Sequence, residues 1–77
     1  MSLIFNHPMM KNDQPNTNRW HSECGRYAMA VYRFKNDKPC KPYYIGYSRR
    51  DGRRLTIEHT DIIACARALR HVDATAD

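Results

Sequence analysis

Only one stretch of the chain carries apolar residues at helical spacing, and everything upstream of it is patterned for strands or turns. Ile62, Cys65 with Ala66, Leu69 and Val72 recur at intervals of three and four, with no Gly or Pro between Thr60 and Val72. This predicts an amphipathic helix with one apolar stripe. Thr60 is the expected N-cap, and Asp61 falls in the first turn, where the helix dipole favours a carboxylate. A single stripe covers one face of one sheet. With 77 residues in all, the chain has room for one compact unit with a thin core, since a domain this small hides only about 60% of its unfolded surface.

The rest of the core must come from strands. Tyr27 to Phe34 is dense in aromatic and β-branched residues and is bounded by Gly25 and by Asn36-Asp37-Lys38-Pro39, which reads as a strand between turns. A second strand is expected at Tyr43 to Ser48, with Tyr43, Ile45 and Tyr47 on one face and Tyr44, Gly46 and Ser48 on the other. Asp51-Gly52 then signals a two-residue hairpin turn, after which Arg53 to Glu58 pairs back. Trp20 to Glu23 adds a short strand ahead of Gly25. Residues 1–19 hold a short apolar start, Leu3-Ile4-Phe5, and then the polar run Lys11 to Asn18 without periodicity, expected as a flexible, uncommitted arm, with docking of its Met and Phe residues on the body as the alternative. The predicted fold class is α+β: three or four antiparallel strands in a meander, packed by one C-terminal helix. The domain spans residues 20–73, with a tail at residues 74–77.

Thirteen Lys and Arg against eight Asp and Glu give a net charge of +5. Nine of the cations are Arg, whose planar fork suits phosphate and carboxylate recognition. The charge is uneven. Residues 41–54 hold Lys41, Arg49, Arg50, Arg53 and Arg54 against Asp51 alone, +4 of the whole, around a predicted turn. Packing four arginines there creates repulsion that a structural role does not require. On the helix, Arg67, Arg70 and His71 share a face.

Arg26, Arg33 and the arginines of the turn are interleaved with Tyr27, Tyr32, Tyr43, Tyr44 and Tyr47 on one small sheet. A two-layer domain leaves one sheet face open, where such side chains stack on bases and bridge phosphates. The alternative puts Tyr43, Ile45 and Tyr47 in the core and leaves Tyr44 with Tyr32 or Arg33 as ordinary cross-strand partners.

Cys24, Cys40 and Cys65 are odd in number and lack a CxxC pair, so reduced thiols are expected. His21 and Cys24 have an HxxC spacing that needs further ligands from elsewhere before it makes a metal site; no metal and no cofactor is expected. No run approaches the ~18 apolar residues of a membrane span, and Met1 to Phe5 lacks the pattern of a secretory signal. The expected location is the cytoplasm, with no membrane partner.

Two resemblances follow from these residues. Ala30-Val31-Tyr32, Tyr44-Ile45-Gly46, Arg53, Arg54 and His59 resemble the GIY-YIG nuclease family over thirty residues. That resemblance implies that Tyr32 and Tyr44 orient or deprotonate a water and that Arg53 or Arg54 holds the scissile phosphate. The first glycine is Ala30 here, and only Asp73 and Asp77 stand where the family's metal-binding glutamate is expected, so no enzymatic activity is expected. The order Trp20, Gly25-x-Tyr27, an aromatic strand, and Thr60-x-x-x-Ala64-x-x-x-Ala68-x-x-His71 resembles small orphan domains of phage and prophage genomes. Its layout is also similar to the three-stranded-sheet-plus-helix DNA-binding modules of plant ethylene-response factors and integrase arm-binding domains.

The functional expectation is a small basic binding module of phage or mobile-element type. It would contact nucleic acid through Arg33, Lys41, Tyr44, Arg49, Arg50, Arg53, Arg54, Arg67 and Arg70. The second expectation is an inhibitor or adaptor that docks on an acidic surface of a host complex, such as an anti-CRISPR or a transcription modulator. A GIY-YIG-like nuclease is the third.

Overall fold

The computed structural model describes residues 3–75. Four strands, β1 (Phe5–Asn6), β2 (Arg19–Ser22), β3 (Tyr27–Lys35) and β4 (Lys38–Ser48), precede one helix, α1 (Ile62–Thr75). The strands form a single sheet in chain order, each antiparallel to the next, and α1 lies across one face. The fold is α+β.

Side-chain alternation sorts the sheet into two faces. Trp20 pairs with Met29 and Met29 with Gly46, while Val31 pairs with Tyr44. These residues, with Phe5 and Tyr27, form the face that receives the helix. Leu3, Tyr27, Met29, Cys65, Ala66 and Leu69 are the buried centre of the core, and Phe5, Trp20, Tyr44, Leu55, Ile62 and Val72 pack around it. The helical stripe expected from spacing is the one that is buried. Leu69, fully buried, sits directly over Gly46, where an added Cβ would meet its Cδ2 at 2.7 Å. Glycine therefore sets how closely helix and sheet approach.

The connections differ from expectation in three places. The two-residue hairpin turn is Asn36-Asp37, not Asp51-Gly52. Both Asn36 (φ 52°) and Asp37 (φ 62°) are left-handed, as the tightest hairpin requires, and Lys35 pairs with Lys38 across them. β4 consequently starts at Lys38, five residues ahead of the expected Tyr43, and absorbs Pro39 and Pro42 through an irregularity opposite Tyr32 to Phe34. At the other end of β4 the connection is a four-residue loop, Arg49 to Gly52. The Ser48 N–H donates to the Arg53 carbonyl (2.9 Å) and the Gly52 N–H to the Ser48 carbonyl (2.9 Å), while only Gly52 is left-handed, at φ 73°.

The expected strand Arg53 to Glu58 is not a strand. It follows β4 through two isolated bridges, Tyr47 with Arg54 and Tyr44 with His59, and bulges between them. In the gap the Thr56 hydroxyl replaces a backbone partner: it accepts from the Gly46 N–H (2.9 Å) and donates to the Ile57 carbonyl (2.9 Å). The additional strand is β1, from the segment read as an arm. Leu3 is 7% exposed, the Glu23 N–H donates to the Ile4 carbonyl at 2.8 Å, and Arg70 Nη2 donates to the Leu3 carbonyl at 3.2 Å. The packed body begins ahead of the expected boundary because two apolar side chains and these bonds hold the segment down.

The helix N-cap is Asp61, not Thr60. Its Oδ1 accepts from the Ile63 N–H at 3.0 Å, and its carbonyl takes the first helical bond from Cys65 at 3.1 Å. A carboxylate at this position satisfies an orphan donor and also meets the positive end of the dipole. The helix continues past Val72 to Thr75. Asp73, inside it, accepts from Tyr27 Oη (3.1 Å) and pairs with Arg26 (2.9 Å), which ties the last turns to the start of β3. The expected tail residues Ala76 and Asp77 lie outside the described residues.

Candidate nucleic-acid interface

Among the described residues no helix covers the second sheet face. Arg19, His21, Ala28, Ala30, Tyr32, Tyr43, Ile45 and Tyr47 alternate onto it through the pairs Arg19 with Ala30, His21 with Ala28, Ala28 with Tyr47, Ala30 with Ile45 and Tyr32 with Tyr43. The central strand contributes the two smallest side chains, and its neighbours contribute large ones. A trough results: it runs over Ala28, with Arg19 and His21 of β2 on one side, Tyr47 of β4 on the other, and Tyr32, further along β3, bonded to Tyr47. The Arg49 loop and the loop between β1 and β2 add further walls at Arg49 and Asn16, enclosing about 650 Å³. Among the described residues that line it there is no carboxylate.

The tyrosine wall is braced. Tyr32 and Tyr47 share a hydrogen bond between their hydroxyls at 2.6 Å, and Tyr32 stacks on Tyr43 with ring centres 5.4 Å apart. Burial, reinforced by the bond to Tyr32, pushes the Tyr47 phenol up to about 12. On the opposite wall, partial burial and the guanidinium charges of Arg49 and Arg19 hold the His21 imidazole below its usual range. The smaller, charge-driven part of this shift reflects two cations close to the ring.

The arginine-rich loop stands beside this trough. Arg49, Arg50, Arg53 and Arg54 are all exposed. Two ion pairs form among the described residues, Arg26 with Asp73 and Lys35 with Glu58, and neither uses these four side chains. Arg49 lines the trough. Arg54 lies opposite Tyr47 and donates from Nε to the Thr56 carbonyl at 2.8 Å, which fixes part of its reach. Asp51 accepts from the Arg53 N–H at 3.0 Å, and that bond lowers its carboxyl below the ordinary range.

The remaining expected site residues are dispersed. Arg33 is exposed and bonded to Asn18 Oδ1 at 2.7 Å, and Lys41 is exposed at the irregular part of β4. Tyr44 is on the helix face, half-buried, with its ring edge-on to Trp20 at 5.8 Å. Arg67 and Arg70 lie on the helix side: Arg67 borders a groove beside Leu55, Ile57 and His71, and Arg70 is bonded to Leu3.

The register also separates the residues of the nuclease resemblance. Tyr32 pairs with Tyr43 rather than Tyr44, so Tyr32 and Tyr44 face opposite sides, and Arg53 and Arg54 follow a loop instead of opening a helix. Cys24 is exposed, with its Sγ 3.3 Å from Ser22 Oγ, and that bond together with Arg26 lowers the thiol below its usual range. All three cysteines are free, and no group of three His, Cys, Asp or Glu gathers among the described residues.

Arg19 and His21 line the trough and are absent from the residues expected by sequence, whereas Tyr32 and Tyr47 are among the tyrosines expected on the sheet. Parity gives only their face, since Arg19 and His21 alternate with Trp20 and Ser22 of the helix side; the pairing of β2 with β3 is what brings them beside the rest of the site. No known protein family, curated protein or solved structure matches the chain. No helix among the described residues is long and apolar enough to cross a membrane.

Proposed function

We propose that this protein is a non-enzymatic nucleic-acid-binding module that holds phosphates on its open sheet face and on the arginine loop beside it. One observation carries the reading: Arg19, Arg49, Arg50, Arg53 and Arg54 are exposed and without ion-pair partners among the described residues, next to a trough walled by tyrosines. Cations left unneutralised on one side of a small domain attract a polyanion. Tyrosine rings next to them add stacking, which tolerates any base. Binding is favoured over phosphodiester cleavage because Tyr32 and Tyr44 lie on opposite faces and Asp73 is engaged by Arg26 and Tyr27. The test is a salt titration. Each phosphate engaged on a single strand contributes about −0.7 to the slope of log affinity against log salt, so four such contacts give a slope near −3. Absence of binding at low salt, or a flat slope, overturns the proposal.

A protein partner with an acidic surface is the second reading, and one observation favours it. Ile57 is 71% exposed beside an apolar groove formed with Leu55, Ala64 and Ala68, which Arg67 and His71 border. A purified acidic partner that stays bound after nuclease digestion and is lost with Ile57→Glu would favour this reading over the first.

A further inference from the structure

We infer that the trough seats one unpaired nucleotide, so that the protein selects single-stranded over double-stranded nucleic acid; this deepens the nucleic-acid reading above and rests on it. The shape of the site supports this. Ala28 lies between His21 and Tyr47 in adjacent strands, and its missing bulk leaves a depression of about 650 Å³, within the size range of sites that enclose a small ligand. A duplex presents a ridge of phosphates and grooves that accept a protruding helix or ribbon. A concave site offers nothing to insert, and paired bases cannot enter it without leaving the stack.

Chemistry is divided across the trough. Arg19 and Arg49 supply guanidinium forks on the side of His21, which suits a phosphate. The facing wall offers the rings of Tyr32 and Tyr47, locked to each other through their hydroxyls at 2.6 Å. A wall that does not have to be ordered on binding loses little entropy there. One nucleotide carries both an anion and a flat ring, and unpaired bases are commonly held by stacking on aromatic side chains.

The experiment compares a short labelled oligonucleotide, single-stranded and annealed to its complement, by fluorescence anisotropy at fixed low salt. Wild type is measured beside two double variants with equal loss of charge. R19Q/R49Q empties the trough of its guanidinium groups, and R50Q/R53Q removes one from the loop and one from the residue just after it, both outside the trough lining. All four side chains are exposed, so both variants keep the fold.

The inference expects wild type to favour the single strand by about tenfold, the value of one stacked base. R19Q/R49Q should abolish that preference, whereas R50Q/R53Q should weaken both forms alike and keep it. Adenosine 5′-monophosphate should compete for wild type and not for R19Q/R49Q. Equal affinity for the two forms, or equal behaviour of the two variants, overturns the trough inference and leaves the nucleic-acid reading standing. Failure of wild type to bind either form overturns both.

Discussion

At Gly46 the backbone of β4 approaches Leu69 more closely than any side chain would permit. A methyl group there would stand 2.7 to 2.9 Å from three carbons of Leu69, and that leucine is fully buried with nowhere to retreat. Gly46→Ala should therefore destabilise the protein by about 1–3 kcal/mol through overpacking, read as a lower urea midpoint. An unchanged midpoint would mean that helix and sheet part more easily than the packing suggests. The glycine that completes the nuclease-like triplet has a packing role here.

His21 gives the protein a pH signature. Its folded pKa lies below the ordinary value of 6.5 because of burial and the charges of Arg49 and Arg19. Above 6.5 both folded and unfolded chains hold it neutral and this contribution to stability is complete. As pH falls through 6.5 the unfolded chain takes up the proton first, and stability declines. A phosphate in the trough offsets the two guanidinium charges and raises the imidazole pKa. Binding then takes up a proton, and affinity should increase as pH drops below 6.5. His21→Gln should flatten that component of the dissociation constant against pH; an identical profile in the variant would place the phosphate elsewhere.

Among the elements, the segment after the arginine loop is held to β4 by backbone bonds at Arg53, Leu55 and His59 and, at its bulge, by a single hydroxyl. Thr56 is buried and serves the Gly46 N–H at 2.9 Å where the backbone of the returning chain bulges away. Thr56→Val keeps the shape and leaves that donor unsatisfied, at a cost of about 1–3 kcal/mol. The amide exchange rate of Gly46 should rise in the variant well above the wild-type rate, and protection retained at this amide would show that another acceptor takes over. This bulge is also why the segment was misread as a strand. Leu-Thr-Ile in sequence has strand propensity, but propensity does not show that two extra residues separate the bridges at Tyr47 and Tyr44.

The helix was legible for the opposite reason. Its stripe repeats over several turns, so displacing the cap by one residue, from Thr60 to Asp61, leaves the buried side unchanged. The faces of the sheet were within reach as well. Had Asn36-Asp37 been taken as the turn, Lys35 would pair with Lys38, and Tyr32, Tyr43 and Tyr47 would fall on one side. The irregularity in β4 moves the register by a whole period and keeps that assignment.

For the molecule as a whole, the first strand matters more than its length suggests. β1 is two residues long and has no periodicity to read, yet Leu3 is in the core and Phe5 packs against it. A buried Leu or Phe contributes about 1.5–3 kcal/mol, and a domain of this size seldom has more than about 3–5 kcal/mol to spare. A chain shortened to start at Trp20 should consequently lose its cooperative thermal transition, whereas a sharp transition near that of the full chain would show that β1 is dispensable. The candidate site was only half legible at this scale. The charge cluster at residues 49–54 stands out in composition, but Arg19 and His21 join it only through the pairing of β2 with β3, which no local pattern reveals.

The lone tryptophan sits on the helix face between His7 and Tyr44, with ring centres 4.9 and 5.8 Å away, and the sheet separates it from the trough. Its emission is therefore a gauge of melting and blind to occupancy. Optical detection of a bound strand has to look instead to the phenol absorbance of Tyr32 and Tyr47, on the far side of the sheet.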